Sequence, residues 1–200
     1  MKKSLVVILV ISSIFMMGCN SNEGIGSNSD NEKVSEIRDQ DNKNSDKYIL
    51  LHENMIDDIR AIYEKRNLEY DEEMIDTKDF SGTYELYFNK SQANTNEISY
   101  ANYGITVNDK NEVDSLAAVV AEKVSEEELK NNDYTIDGTI FEDFAKVMVK
   151  NSEYKNDVEQ AVNDYFKNNG KNIVFLEYDD VDINLEFYSD EISYQIIMKP

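Results

Sequence analysis

The chain has one cysteine, Cys19, and one histidine, His52, and those two counts bound most of the chemistry open to it. Any Ser-His-Asp or Cys-His relay must use His52. His52 lies early in an amphipathic stretch beside Leu51, with no G-x-S-x-G pattern anywhere in the chain, and it reads as a partly exposed helical histidine. A zinc site of nitrogen and sulfur ligands is equally badly served by one imidazole and one thiol. Carboxylates remain. A pair of acids about 5–10 Å apart can run a glycosidase-type hydrolysis. Of the 41 acids, seven fall in residues 20–46, and nothing in the pattern singles out two of the other 34.

The sharpest local pattern is Asp133-Tyr134-Thr135-Ile136-Asp137-Gly138-Thr139-Ile140. Side-chain oxygens stand at its first, third and fifth positions, glycine at the sixth and an aliphatic residue at the eighth. In this it resembles the first half of an EF-hand-like calcium loop, which implies a cation on Asp133, Thr135 and Asp137. The twelfth position departs from that pattern: it is Phe144, with Glu142 and Asp143 falling early. The other reading is an Asp-Gly turn leading into a helix cap ahead of Ile140. Asp179, Asp180 and Asp182 cluster at a second turn, where aspartate is favoured without any ion. No cofactor and no resident metal are expected.

Thirteen tyrosines without a tryptophan leave a recognition surface as the remaining chemistry. Tyr188 is in phase with Asp182, Asn184 and Glu186, and Tyr87 falls opposite the Tyr84–Phe88 face, so both are expected on polar strand faces. Tyrosines among acids can form a patch for a protein or a glycan.

The start of the chain gives an address. Lys2 and Lys3 precede an apolar run, Leu5 to Met17, followed by Gly18-Cys19-Asn20. As a helix that run spans roughly 20 Å against a bilayer core of about 30 Å, too short for a permanent span and typical of a removable signal. The small residue before a cysteine resembles the lipobox of bacterial lipoproteins, with Met16 and Met17 where that family usually has an aliphatic and a small residue. The resemblance covers about twenty residues. It implies a signal peptide over 1–18, a diacylglyceryl group on Cys19, and a mature chain lipid-anchored on the extracytoplasmic face of the cell membrane. Two acyl chains anchor stably where one would be marginal.

Without residues 1–18 the chain carries 41 acids against 18 bases, a formal charge of −23. That excess disfavours nucleic acid and anionic headgroups and favours basic partners. The richness in Asn, Lys, Ile and Tyr, with one proline, resembles the coding bias of low-GC Gram-positive bacteria. Residues 19–46 hold lipidated Cys19 and then a run of which eleven residues are Asn or Ser, with few scattered apolar residues. This segment is expected to be a disordered acidic tether with a reach of roughly 30 Å.

Residues 47–200 are read as a single α+β domain, an antiparallel sheet of about six strands with helices packed on one face. A helix is predicted from about Tyr48 to Arg66, with Leu51, Met55, Ile59, Ile62 and Tyr63 at helical spacing. Asp71-Glu72-Glu73 reads as a polar connection. Strands are predicted over Thr83–Asn89 and Ile98–Val107, and residues 113–124 fit a strand or a helix, the turn at Asn108–Asn111 favouring the strand. Ser125-Glu126-Glu127-Glu128 opens a short helix. Two apolar stripes, Ile140–Met148 and Tyr154–Phe166, make a helical pair stopped by Gly170. Ile173–Tyr178, Val181–Tyr188 and Ile192–Met198 form a meander, the first of them apolar enough to be buried on both faces.

These features point to a non-enzymatic surface lipoprotein that binds an unknown protein or cell-envelope partner. The alternative is a carboxylate-dependent extracytoplasmic hydrolase, with or without a divalent cation. A solute-capturing lipoprotein of a transporter fits less well, since residues 47–200 are too few for a two-lobed clamshell.

Overall fold

Apolar residues two apart build the sheet, and those three or four apart build the helices that cover it. The computed structural model describes residues 30–77, 80–88, 97–108, 112–168 and 170–199, so Cys19 and residues 1–29 of the segments read as signal and tether lie outside the described residues. Residues Ile37–Pro200 form one unit; of Met1–Glu36 only residues 30–36 are described, and they are helical. In chain order the elements are α1 (Asp30–Lys65), β1 (Tyr70–Thr77), β2 (Phe80–Phe88), β3 (Ile98–Val107), β4 (Val113–Lys123), α2 (Glu126–Asn131), α3 (Ile140–Met148), α4 (Tyr154–Asn168), β5 (Ile173–Glu177), β6 (Val181–Phe187) and β7 (Glu191–Met198). None of these helices is long and apolar enough to cross a membrane.

The strands make one seven-stranded sheet in the order β1-β2-β3-β4-β7-β6-β5, antiparallel throughout. It is two meanders, β1–β4 and β5–β7, joined where β4 meets β7. The three helices α2–α4 make the connection between them. Antiparallel order lets hairpins do the local work: Asn108 and Glu112 close the β3–β4 turn by paired backbone and side-chain bonds. Two-residue turns at 179–180 and 189–190 close β5–β6 and β6–β7, with Tyr178 N–H donating to Val181 O and Tyr188 N–H to Glu191 O.

One face of the sheet is covered by helices. A straight row across it reads Leu86, Tyr103, Ala118, Ile196, Ile183, and each of these is 1% exposed or less. From α1, Tyr63 donates to Leu86 O (3.0 Å) and Tyr48 to Met198 O (3.4 Å). From α3, Phe141 stacks on Tyr194 with centroids 4.3 Å apart, and Phe144 meets Tyr63 edge-on. Such aromatic pairs add about 0.5–1.5 kcal/mol beyond the area they bury. Ser125 caps α2 as expected, its Oγ accepting from Glu128 N–H, and α4 ends before Gly170. There a Cβ would come within 2.9 Å of the Asp164 backbone.

Three expectations need correction. The helix starts at Asp30 and not near Tyr48, so it takes in residues 30–46 of the segment read as tether. That segment is poor in apolar residues, but no glycine or proline interrupts the chain between Gly26 and Gly82. Ser45 is buried, with its Oγ accepting from Val113 N–H (2.8 Å) at the start of β4. Second, Asp71-Glu72-Glu73 is no connection; it lies in a seventh strand, β1, whose acids stud an edge where charge discourages further pairing. Arg60 holds Glu72 through both carboxylate oxygens (2.7 and 3.0 Å), tying that edge to α1. Third, β5 is not buried on both faces, because it is the other edge: Ile173 is 46% and Phe175 67% exposed. Only Val174 and Leu176, on the helix side, pack against the core.

Candidate functional site

Among the described residues no helix covers the second face of the sheet, and register places a continuous row of mostly polar and aromatic residues across it. Asp71, Tyr87, Asn102, Val119, Gln195, Asn184 and Phe175 stand opposite one another on successive strands. Beside it runs a second row, Glu73, Glu85, Gly104, Ala117, Ile197, Asp182 and Glu177. Gly104 and Ala117 present almost no side chain at mid-sheet, so the second row dips between acids at either end. An open antiparallel face is normally solvated and polar. Here the centre is polar yet closed: Asn102 is 6% and Gln195 8% exposed, their amides folded down among neighbours.

These amides are held in ordered pairs. Asn184 Nδ2 donates to Gln195 Oε1 (3.1 Å), Asn102 Nδ2 to Glu85 Oε2 (3.2 Å), and Tyr87 OH to Glu73 Oε2 (3.0 Å). Burial pushes the Glu85 carboxyl up, the Asn102 bond opposes it, and the charge of Glu73 adds to the rise. Tyr100, on the same face, is pushed up to about 12 by burial and by Glu85. Phenols and amides next to carboxylates offer hydrogen-bond donors within a negative field, an arrangement that suits a polar or basic ligand laid across the strands.

The two tyrosines singled out from sequence take different places. Tyr87 is in the main row, half-buried. Tyr188 follows β6, is 49% exposed, and donates to Glu186 Oε2 (2.8 Å), a bond that raises its hydroxyl to about 12. Strands β3, β4 and β7 intervene between β2 and β6, roughly 19 Å at about 4.8 Å per strand, so the two do not form one patch. Asn102, Val119 and Gln195 fill that interval. Alternation alone puts Asn184 and Gln195 on polar faces. What sequence reasoning lacked was the β4–β7 pairing that lines them up with β2 and β3.

The loop before α3 is engaged along α4. Asp133 pairs with Lys167, Thr135 Oγ1 donates to Glu159 Oε1 (3.0 Å), and Asp137 pairs with Lys155. The three oxygens are spread along a helix and not gathered on a point. Gly138 takes φ +83° in the turn, and Thr139 caps α3 by accepting from Glu142 N–H (3.0 Å). Asp182 pairs with Lys199 (2.6 Å). Among the described residues no cluster of three or more His, Cys, Asp or Glu is placed to hold a metal. His52 Nδ1 shares a hydrogen bond with the Tyr103 hydroxyl (2.9 Å), and burial first, then Arg60, keeps its pKa low.

Besides Glu85, a second carboxyl has the raised pKa that a hydrolase would want. Glu122, 8% exposed, is pushed up to about 7 by burial, in part offset by the Phe141 N–H that Oε1 accepts (2.7 Å) and by Arg66. It lies on the helix-covered face, capping α3 from β4, with the bonded Tyr134 and Tyr194 hydroxyls (2.6 Å) in the same buried cluster. Beside it Lys65 and Arg66 both hold Asp143 at 2.7 Å, and Arg66 also donates to the Gly138 and Thr139 carbonyls (2.7 Å each). Every partner of Glu122 named here is structural, so it seats a helix. No family model, no curated protein and no solved structure matches this chain.

Proposed function

We propose that this chain is a lipid-anchored extracytoplasmic lipoprotein that acts as a non-enzymatic binding module, with the face of its sheet opposite α1 and α3 as the recognition surface. The observation that carries the reading is the Tyr87–Asn102–Gln195–Asn184–Phe175 row. It is a preorganised line of donors, acceptors and rings on rigid strands, set among Glu73, Glu85, Glu177 and Glu186. Preorganisation lowers the entropy cost of binding, and the acids select a partner with basic or donor-rich groups. The lipobox-like Gly18-Cys19 supports the membrane address, and a charge of −21 over the whole chain keeps the body away from anionic headgroups.

Two experiments test this. Mass spectrometry of membrane extracts is expected to find diacylglycerol on Cys19, and fractionation to release the chain from membranes in a Cys19→Ser strain. Proximity labelling on intact cells is expected to mark an envelope partner with the native chain and to lose it with Tyr87→Ala/Gln195→Ala. An unchanged labelling set in that double variant overturns the open face as the recognition surface.

A further inference from the structure

The two edges of the sheet invite opposite fates. On β1 the exposed run Asp71, Glu72, Glu73 places like charges along the rim. On β5 the rim is Ile-Val-Phe-Leu-Glu, a segment of high β-propensity with Ile173 and Phe175 turned out to solvent. An edge with one charge in five residues and exposed apolar side chains is a template for another strand.

Hydrogen-bond parity shows which backbone groups are on offer. Phe187 N–H donates to Asn172 O and Tyr178 N–H to Val181 O, at the two ends of the β5–β6 ladder. In an antiparallel pair, bonded positions recur every second residue. Residues 172, 174, 176 and 178 therefore face β6, while Ile173, Phe175 and Glu177 turn their N–H and C=O groups to the outer rim.

We propose that β5 pairs antiparallel with β5 of a second copy of this chain, about a two-fold axis through Phe175, so that two seven-stranded sheets become one. This register uses all three outward residues of each strand: Phe175 faces Phe175 and Ile173 faces Glu177, giving about six hydrogen bonds at two per facing pair. It is self-complementary in charge, for Lys171 falls opposite Asp179 at both ends. A slip by one residue would bring inward-facing groups to the rim, and a slip by two would lose a bonded pair. A closed two-fold pairing also leaves each outer β1 edge guarded by its acids, so growth stops at two copies.

Sedimentation equilibrium of the intact chain in a density-matched non-ionic detergent tests this. The wild-type chain is expected to associate reversibly to a dimer, and Phe175→Lys to be monomeric, with the melting temperature the wild type shows at dilutions where it too is monomeric, since that ring is two-thirds exposed. Lys171→Asp alone and Asp179→Lys alone each set like charges opposite one another and are expected to weaken association about tenfold or more. Mixing those two variants restores opposite charges at both ends and is expected to recover the dimer. A wild-type monomer overturns the proposal, as does association that survives Phe175→Lys. So does failure of the mixture to associate better than its components, and so does pairing of the rim with another protein while this chain stays monomeric.

Discussion

The two faces of this sheet share every strand and differ in what their residues are asked to do. On the covered face, side chains fill space against α1 and α3, and the rings of Tyr63, Tyr103, Tyr194, Phe141 and Phe144 are fully buried. On the open face, Asn102 and Gln195 are nearly as hidden, but they are held by hydrogen bonds to neighbours on the same surface. Burial by packing makes a residue structural. Burial by a lattice of amides leaves polar groups in fixed positions at a surface, which is a means of recognition. Low exposure by itself therefore does not assign a residue to the core.

The sharpest way to break this contrast is to cut a ring from each side. Phe144→Ala, on the covered side, is expected to cost about 3–5 kcal/mol in urea unfolding, the usual range for a buried aromatic. If it cost no more than an open-face change, the assignment of faces would be wrong. Next in size is Glu122→Gln, which keeps the acceptor for Phe141 N–H and removes the charge. A carboxyl whose folded pKa is about 7 binds its proton more tightly in the native state than in the unfolded one. Its contribution to stability therefore falls as pH rises from about 4.5 to 7 and is flat above that, a loss of about 3 kcal/mol. The variant is expected to match the wild type near pH 4 and to exceed it by roughly that amount at pH 8, read from denaturation midpoints at the two values.

Asp143→Asn comes third, with about 1–3 kcal/mol lost at pH 7 for the charge-assisted bonds to Lys65 and Arg66. Burial pushes Asp143 up, but those bonds outweigh it and hold the carboxyl below its ordinary range. Its contribution is therefore present above the usual aspartate range and lost as pH falls through the lowered value, opposite in sign to Glu122. Smallest are the open-face changes. Tyr87→Ala and Tyr188→Phe are expected to stay within about 0.5 kcal/mol of wild type, while Tyr87→Ala weakens partner labelling.

Most of the covered face was legible in the chain. Alternation gave β3, β6 and β7, and the turn at Asn108 decided correctly for a strand over residues 113–123. The Ser125 cap and the stripe from Ile140 to Met148 also stand where spacing places them. What escaped was anything that depends on neighbours. Asp71-Glu72-Glu73 looks like a loop because an edge strand needs little apolar surface, and β5 looks like a central strand because its exposed Ile173 and Phe175 are as apolar as its inner residues. Residues 30–46 look like coil by composition, yet helix propagation needs only the absence of breakers and a nucleus downstream. The open-face row was half legible. Phase assigns Tyr87, Asn184 and Tyr188 to polar faces, but only the non-local pairing of β4 with β7 decides which of them are neighbours.

The bond from Ser45 to the first amide of β4 has a mechanical meaning. β4 is the middle strand of the seven, gripped by β3 on one flank and β7 on the other. A pull arriving along α1 is thus delivered to the best-clamped rod in the assembly, where many bonds must shear together. Had Ser45, which precedes the other α1 anchors Tyr48, Arg60 and Tyr63 in the chain, met an outer strand instead, a modest tug would peel the sheet open one rung at a time.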